Sequence, residues 1–191
     1  MRYSGEHILK LATAPTGDVV SLSDMKKQLR VDANDEDSLI TAYIAAAVDS
    51  IDGKAELGKA ILTQTWDESF QSPPQDVYLG MLPVASVTSI TYYDADNVSQ
   101  TLSASEYALY TSDDWAFVRC ENWPQTYDRP DAIAVRYVAG EAEAAPKIVH
   151  AIKLIVAEWF NNREDSSAVN LKQIPRAACH LIGMDRRGWY G

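Results

Sequence analysis

The amino-acid sequence predicts an α+β fold, a helical core of about four helices with an inserted antiparallel β-domain of about six strands. Three observations carry that prediction. Apolar residues recur at helical spacing towards both ends of the chain, at Ile40, Ile44, Val48, Ile51 and Ala55 and again at Ile148, Ile152, Ile155 and Trp159. Between those stretches the period drops to two: Leu62, Trp66 and Phe70 alternate with polar residues, and β-branched or aromatic side chains dominate. The connections between the alternating runs are short, which favours antiparallel pairing, since a parallel crossover needs about a dozen residues or more.

In chain order, the first helix opens within VVSLSDMKKQLRVD. Ser21 is its cap, Asp24 stands at the third helical position, and Val20 packs on Met25 as a staple. The second helix follows DANDEDS, with Asn34 as cap, Asp35, Glu36 and Asp37 at the positive end of the helix dipole, and Gly58 as its stop. Strands are read in AILTQTWDESF, VYL, SVTSITYY, EYALY, WAFVRC and AIAVRYVAG, separated by SPPQD, DADN, TSDD and the stiff NWPQTYDRPD. Pro146 then sits where a first helical turn tolerates it. Val149, Val156 and Phe160 widen the apolar face of this third helix, which must be largely buried. A last helix begins near Pro175 and runs toward Arg187, with Ala178, Leu181 and Ile182 as its stripe. The expected division is 1–58 as the first part of the helical core, 59–140 as the β-domain insertion, and 141–191 as closing helices and tail packed with 1–58.

At 191 residues with 47% hydrophobic content, the chain is long enough for one substantial core or two small ones. Its 17 Lys+Arg stand against 27 Asp+Glu, a formal net charge of −10. Such a surface repels phosphate on average, which argues against a broad nucleic-acid-binding face. The charge is uneven: residues 1–57 hold 6 basic and 10 acidic side chains, residues 58–140 hold 4 and 11, and residues 141–191 hold 7 and 6. Only the last quarter is not acidic. Cys120 and Cys179 lie far apart without metal-ligand spacing, and MRYSGEHILK lacks the apolar run of a signal peptide, so a reducing cytoplasm is the expected compartment. The most apolar segment, IVHAIKLIVAEWF, is broken by His150, Lys153 and Glu158, so no membrane span is expected.

Catalytic patterns are missing from the sequence. His7, His150 and His180 each lack a neighbouring cysteine, histidine or carboxylate pattern, and no nucleophile elbow or phosphate-cradling glycine loop occurs. The run Asp32, Asn34, Glu36 superficially matches a calcium loop, but its sixth position is Asp37 rather than glycine and its twelfth is Tyr43 rather than glutamate. No enzyme activity, cofactor or metal is therefore expected. Trp115, Trp123, Tyr127 and Tyr107 on a β scaffold leave open a carbohydrate-binding module with an aromatic face. The ending DRRGWYG is a different matter, because Arg186, Arg187, Trp189 and Tyr190 are of the types enriched in interface anchors.

Taken in order, VSLSDMKKQLRVDANDEDSLITAYIAAAVDSID, GKAILTQTWDESF, LPVASVTSITYYDADN, RPDAIAVRYVAG and PKIVHAIKLIVAEWFNNRE resemble the head-to-tail connector, or adaptor, proteins of long-tailed phages and gene transfer agents, over residues 20–165. The most telling pieces are Leu29–Asp32, Leu62–Trp66 and Glu158–Glu164. The resemblance implies a non-enzymatic virion part assembled in the bacterial cytoplasm: a homo-oligomeric ring, a dodecamer, clamped between the portal protein and a stopper or tail protein. It also implies that helices form the ring, that the carboxy-terminal helix and tail dock on the portal, and that DNA passes through without sequence-specific binding. Arg186, Arg187, Trp189 and Tyr190 are then the candidate portal-docking residues, and the acidic balance suits a channel wall that repels phosphate.

Overall fold

The computed structural model describes residues 7–55, 57–72, 75–162 and 174–184. Its contacts divide the chain into two compact units, Met1–Thr16 with Leu62–Ala142, and Gly17–Ile61 with Glu143–Gly191. The first is a β unit and the second a helical unit.

The β unit contains β1 (His7–Thr13), β2 (Gln64–Phe70), β3 (Asp76–Tyr78), β4 (Val84–Tyr93), β5 (Ser99–Thr101), β6 (Tyr107–Thr111), β7 (Ala116–Cys120) and β8 (Ile133–Ala139). They form a five-stranded sheet in the order β1-β2-β8-β4-β5 and a three-stranded sheet in the order β3-β7-β6, antiparallel throughout. The six strands read from the sequence are all present, and β1 and β5 are additional. Neither carries a strong alternating signal, for a physical reason. β1 is an edge strand exposed along nearly its whole length, and β5 is the three-residue polar segment SQT, so no core dictates their pattern.

At the centre of the larger sheet, β2 and β8 pair in register from Gln64↔Ala139 to Phe70↔Ile133. Alternate residues point inward: Trp66, Phe70, Ile133, Val135, Tyr137 and Ala139 are buried, together with the polar Gln64 and Glu68. The far side of β8 pairs with β4, whose register shifts between Val84 and Ser86 and again between Val87 and Ser89. In the smaller sheet Val77, Val118, Ala116 and Cys120 are the buried residues.

The helical unit contains α1 (Leu22–Leu29), α2 (Asp37–Ile51), α3 (Pro146–Asn161) and α4 (Arg176–Gly183). α1 starts as expected: the Ser21 hydroxyl accepts from the Asp24 N–H at 3.2 Å, and Val20 and Met25 are both buried. It stops at Arg30, which adopts the left-handed conformation. α2 departs from expectation at both ends. Its cap is Glu36, which makes no side-chain capping bond, while Asn34 instead accepts from Lys26 Nζ at 2.7 Å; the same ammonium donates to Asp37 at 2.6 Å. A lysine from α1 thus holds the acidic run, which explains why Asn34 is not free to cap. The helix ends at Ile51 rather than running to Gly58, because Asp52 is extended and its carboxylate accepts from the N–H groups of Gly53 and Ile61 at 2.9 and 2.8 Å.

α3 packs on α1, α2 and α4 through Ile148, Ala151, Ile152, Ile155, Val156 and Phe160, all buried. Each isoleucine so buried contributes roughly 1.5–3 kcal/mol relative to exposure, which is why this apolar face organises the unit. Trp159 is half-buried and meets Tyr43 of α2 edge-on at 6.2 Å. α4 turns Ala178 and Ile182 inward, and it closes at Gly183 with Met184 as cap, short of the predicted Arg187.

Candidate interaction surfaces

Charge is unequal between the two units. The β unit holds 13 Asp+Glu against 5 Lys+Arg, a formal −8, and the helical unit holds 14 against 12, a formal −2. Moreover, the arginines of the β unit among the described residues are committed. Arg136 grips Asp67 across β2 and β8 with Nε and Nη2 both at 2.7 Å, and Arg119 grips Asp76 across β3 and β7 at 2.6 and 2.8 Å. Arg129 grips Asp131 at 2.6 and 2.9 Å, reaches Asn97 at 3.1 Å, and lies 3.7 Å above the Tyr93 ring. The guanidinium bonds hold Asp67, Asp76 and Asp131 below the usual carboxylate range. What these arginines leave uncompensated is carboxylate. Asp113 and Asp114, exposed in the β6–β7 turn, have no cationic partner among the described residues.

A second feature lies on the outer face of the three-stranded sheet. Pairing places Tyr78 of β3 and Tyr110 of β6 on either side of Phe117 of β7, and Trp115 stands two residues before Phe117. Phe117 meets Tyr110, Trp115 and Tyr78 at centroid distances of 5.0, 5.4 and 5.3 Å, the first two nearly parallel to it. Arg119 lies over Tyr110 and Phe117 at 5.7 and 5.5 Å. Tyr78, Tyr110 and Trp115 remain 48%, 44% and 42% exposed, so the rings cover one another but are not covered.

Of the four aromatics considered for a carbohydrate platform, only Trp115 belongs to this cluster. Tyr107 lies three residues from Tyr110 on β6, and alternation therefore puts it on the opposite face. Trp123 is half-buried, and Tyr127, 45% exposed, is tied through its N–H to the Tyr93 carbonyl at 3.0 Å.

Beneath β2 lies a buried polar chain that sequence reasoning missed. The Glu68 carboxyl, 1% exposed, accepts at Oε2 from the Gly80 N–H at 2.7 Å and from the Tyr137 hydroxyl at 3.0 Å, and that hydroxyl accepts from the Met81 N–H at 3.0 Å. His7 Nε2 is 3.6 Å from Oε1. The arrangement satisfies the backbone of the β3–β4 connection and is structural in character. Among the described residues, no group of three His, Cys, Asp or Glu side chains is gathered to hold a metal, and no helix is long and apolar enough to cross a membrane. The predicted docking residues Arg186, Arg187, Trp189 and Tyr190 lie outside the described residues.

The family model for phage gp6-like head-tail connector proteins matches residues 19–186, running through both units. The chain belongs to that family. The resemblance carried by residues 20–165 is thereby confirmed, and the match extends to Arg186. The family is one of structural head-tail connectors, not of enzymes. No curated protein matched the chain. Among solved structures it is similar to a chain from the neck of an empty gene transfer agent particle computed with C6 symmetry, with a TM-score of 0.75 and 22% identity, covering 95% of this connector and 96% of that chain. A chain from the virion of a native gene transfer agent particle gives 0.71 and 21% over the same shares. A third, from the neck of a native particle computed with C12 symmetry, gives 0.72 and 21%, again over 95% and 96%. At these identities the likeness establishes a shared fold.

Proposed function

We propose that this connector forms a closed ring in the virion neck, seated on the portal protein, followed by a stopper or tail protein, and traversed by DNA. Membership of the head-tail connector family along residues 19–186 is the observation that carries this reading. The likeness in fold to neck chains from particles computed with C6 and C12 symmetry supports a cyclic arrangement, for which twelve copies is the proposed number. A cyclic ring needs two different, mutually complementary patches on every copy, since an isologous contact closes at a dimer.

Electrostatics supports an anionic passage. A β unit of formal −8 whose described arginines are all gripped by aspartates has little with which to hold a phosphate backbone, so DNA slides past it instead of sticking. The role of the charge is then to keep the path clear. Adhesion to the portal falls to the least acidic part of the chain, with Arg186, Arg187, Trp189 and Tyr190 as its anchors.

The test is to mix the purified chain with portal, with and without residues 185–191, and to image the products. Rings on the portal with the full chain and none with the truncated one are expected. Undiminished docking by the truncated chain would remove the tail from the reading, and absence of any ring with the full chain would overturn the reading itself.

A further inference from the structure

The exposed rings of Tyr78, Tyr110 and Trp115 share the outer face of the β3-β7-β6 sheet around Phe117, and the two ends of that face differ. At one end strand pairing sets Arg119 of β7 opposite Asp76 of β3. Its guanidinium lies over Tyr110 and Phe117 while Nε and Nη2 both engage the carboxylate. At the other end is the β6–β7 turn, closed by the Ser112 N–H donating to the Trp115 carbonyl at 2.7 Å, with Asp113 and Asp114 as its two central residues.

The β unit uses the first arrangement twice. Arg129 likewise lies on the Tyr93 ring and is gripped by Asp131. In each case a ring takes the flat face of a guanidinium and an aspartate takes its edge, a combination that suits a planar cation better than an ammonium. The Trp115 end supplies a ring and two carboxylates without the cation: all three side chains are exposed, and neither carboxylate has an ion pair among the described residues. We propose that this end of the face binds an arginine of a different protein, its guanidinium stacked on Trp115 and its N–H groups donating to Asp113 and Asp114. Tyr78 and Tyr110 then cover apolar residues beside that arginine. Charge favours such an occupant over the alternatives. The carboxylates repel a phosphate backbone, and copies of a chain of formal charge −10 repel one another, whereas a basic segment of another protein is drawn in. Arg119 does not oppose it, since Asp76 already offsets its charge. The site lies wholly within one β unit, so the inference stands apart from the ring reading.

The probe is a fluorescein-labelled tetra-arginine peptide, titrated with the full chain at about 0.15 M salt and followed by fluorescence anisotropy, with tetra-lysine of equal charge beside it. Tetra-arginine should bind at least about fivefold more tightly than tetra-lysine, because a guanidinium both stacks on a ring and forks to carboxylates. Asp113→Asn with Asp114→Asn should weaken tetra-arginine binding about tenfold, and Trp115→Ala by a similar factor. Asp32→Asn with Asp35→Asn removes the same charge from the segment before α2 and should change binding less than about twofold. The Asn pair at 113 and 114 leaves every ring in place, so it tests the site even where Trp115→Ala lowers the urea midpoint. Equal affinity for the two peptides, or equal losses in the two Asn pairs, would show diffuse attraction to an acidic chain and overturn the site. So would the absence of saturable tetra-arginine binding. Self-association of the wild-type chain that Trp115→Ala abolishes would give the face to a second copy. A saturable fluorescence change with polysaccharide, lost in the same variant, would give it to a glycan, and either result overturns the proposal. Each of these outcomes is read without portal and is separate from whether rings form.

Discussion

Replacing Tyr137 by phenylalanine removes one oxygen atom from the most buried part of the β unit, and its cost can be worked from the structure. The hydroxyl donates to Glu68 Oε2 at 3.0 Å and accepts from the Met81 N–H at 3.0 Å, while the ring itself is fully buried and stays in place. The Met81 amide, in a buried segment, loses its acceptor, which costs about 1–3 kcal/mol. Glu68 keeps the Gly80 N–H but loses the phenol, worth about another 1–1.5 kcal/mol. A total of about 2–4 kcal/mol is expected, far above the scatter of ordinary surface changes. Urea unfolding followed by tryptophan fluorescence should show a lower midpoint with an unchanged slope. Glu68→Gln provides the second edge of a cycle: because the two residues share one bond, the double variant should cost clearly less than the sum. A Tyr137→Phe midpoint within about 0.5 kcal/mol of wild type would show that the chain of bonds contributes nothing net, and the reasoning would fail.

Two further outcomes are expected. Gly140 has φ +96°, and a Cβ there would overlap the Leu62 carbonyl, so Gly140→Ala should destabilise the β unit by about 3 kcal/mol or more, read as a lower urea midpoint than that of Gly183→Ala, where a Cβ meets nothing. Asp67 is held below its usual range in the folded state, so the stability it gains from Arg136 is complete above the unfolded aspartate value of about 3.9 and is lost as pH falls through the depressed folded value. The midpoint difference between wild type and Arg136→Met should therefore be level from pH 8 to pH 5, under about 1 kcal/mol for so exposed a pair, and should shrink only below about pH 4.

Much of the architecture was legible where burial imposes a period. The alternation in QTWDESF and AIAVRYVAG announced the two central strands, and the stripe from Ile148 to Phe160 announced the helix that organises the other unit. Where burial imposes nothing, the pattern was silent, as with exposed β1 and polar β5. Local competition misled the reading at Asn34, whose cap role is pre-empted by a lysine eight residues upstream, a pairing that depends on how α1 meets α2. Glu68 has the same parity as Trp66 and Phe70 and points inward with them, although it is charged. Its parity was the available signal; its partners, Gly80 and Tyr137, come from distant segments. The aromatic face was invisible for the same reason. Trp115 and Phe117 share a parity in one strand, but Tyr78 and Tyr110 join them only through strand pairing.

The main chain leaves the helical unit at Ile61 and returns to it at Glu143, and just inside those points Leu62 bridges Glu141 side by side, with the Thr63 N–H and hydroxyl donating to the Glu141 carbonyl at 2.9 and 3.0 Å. A detour of some eighty residues therefore begins and ends at one spot, reached from the end of α2 through residues 52–61 and leading into α3 through residues 142–145. Closing so long a loop carries an entropic penalty that grows with the logarithm of its length, and the bonds of this stem offset part of it. Tips of the β unit can accordingly lengthen, shorten or change sequence while the point where the chain departs and the point where it comes back stay side by side.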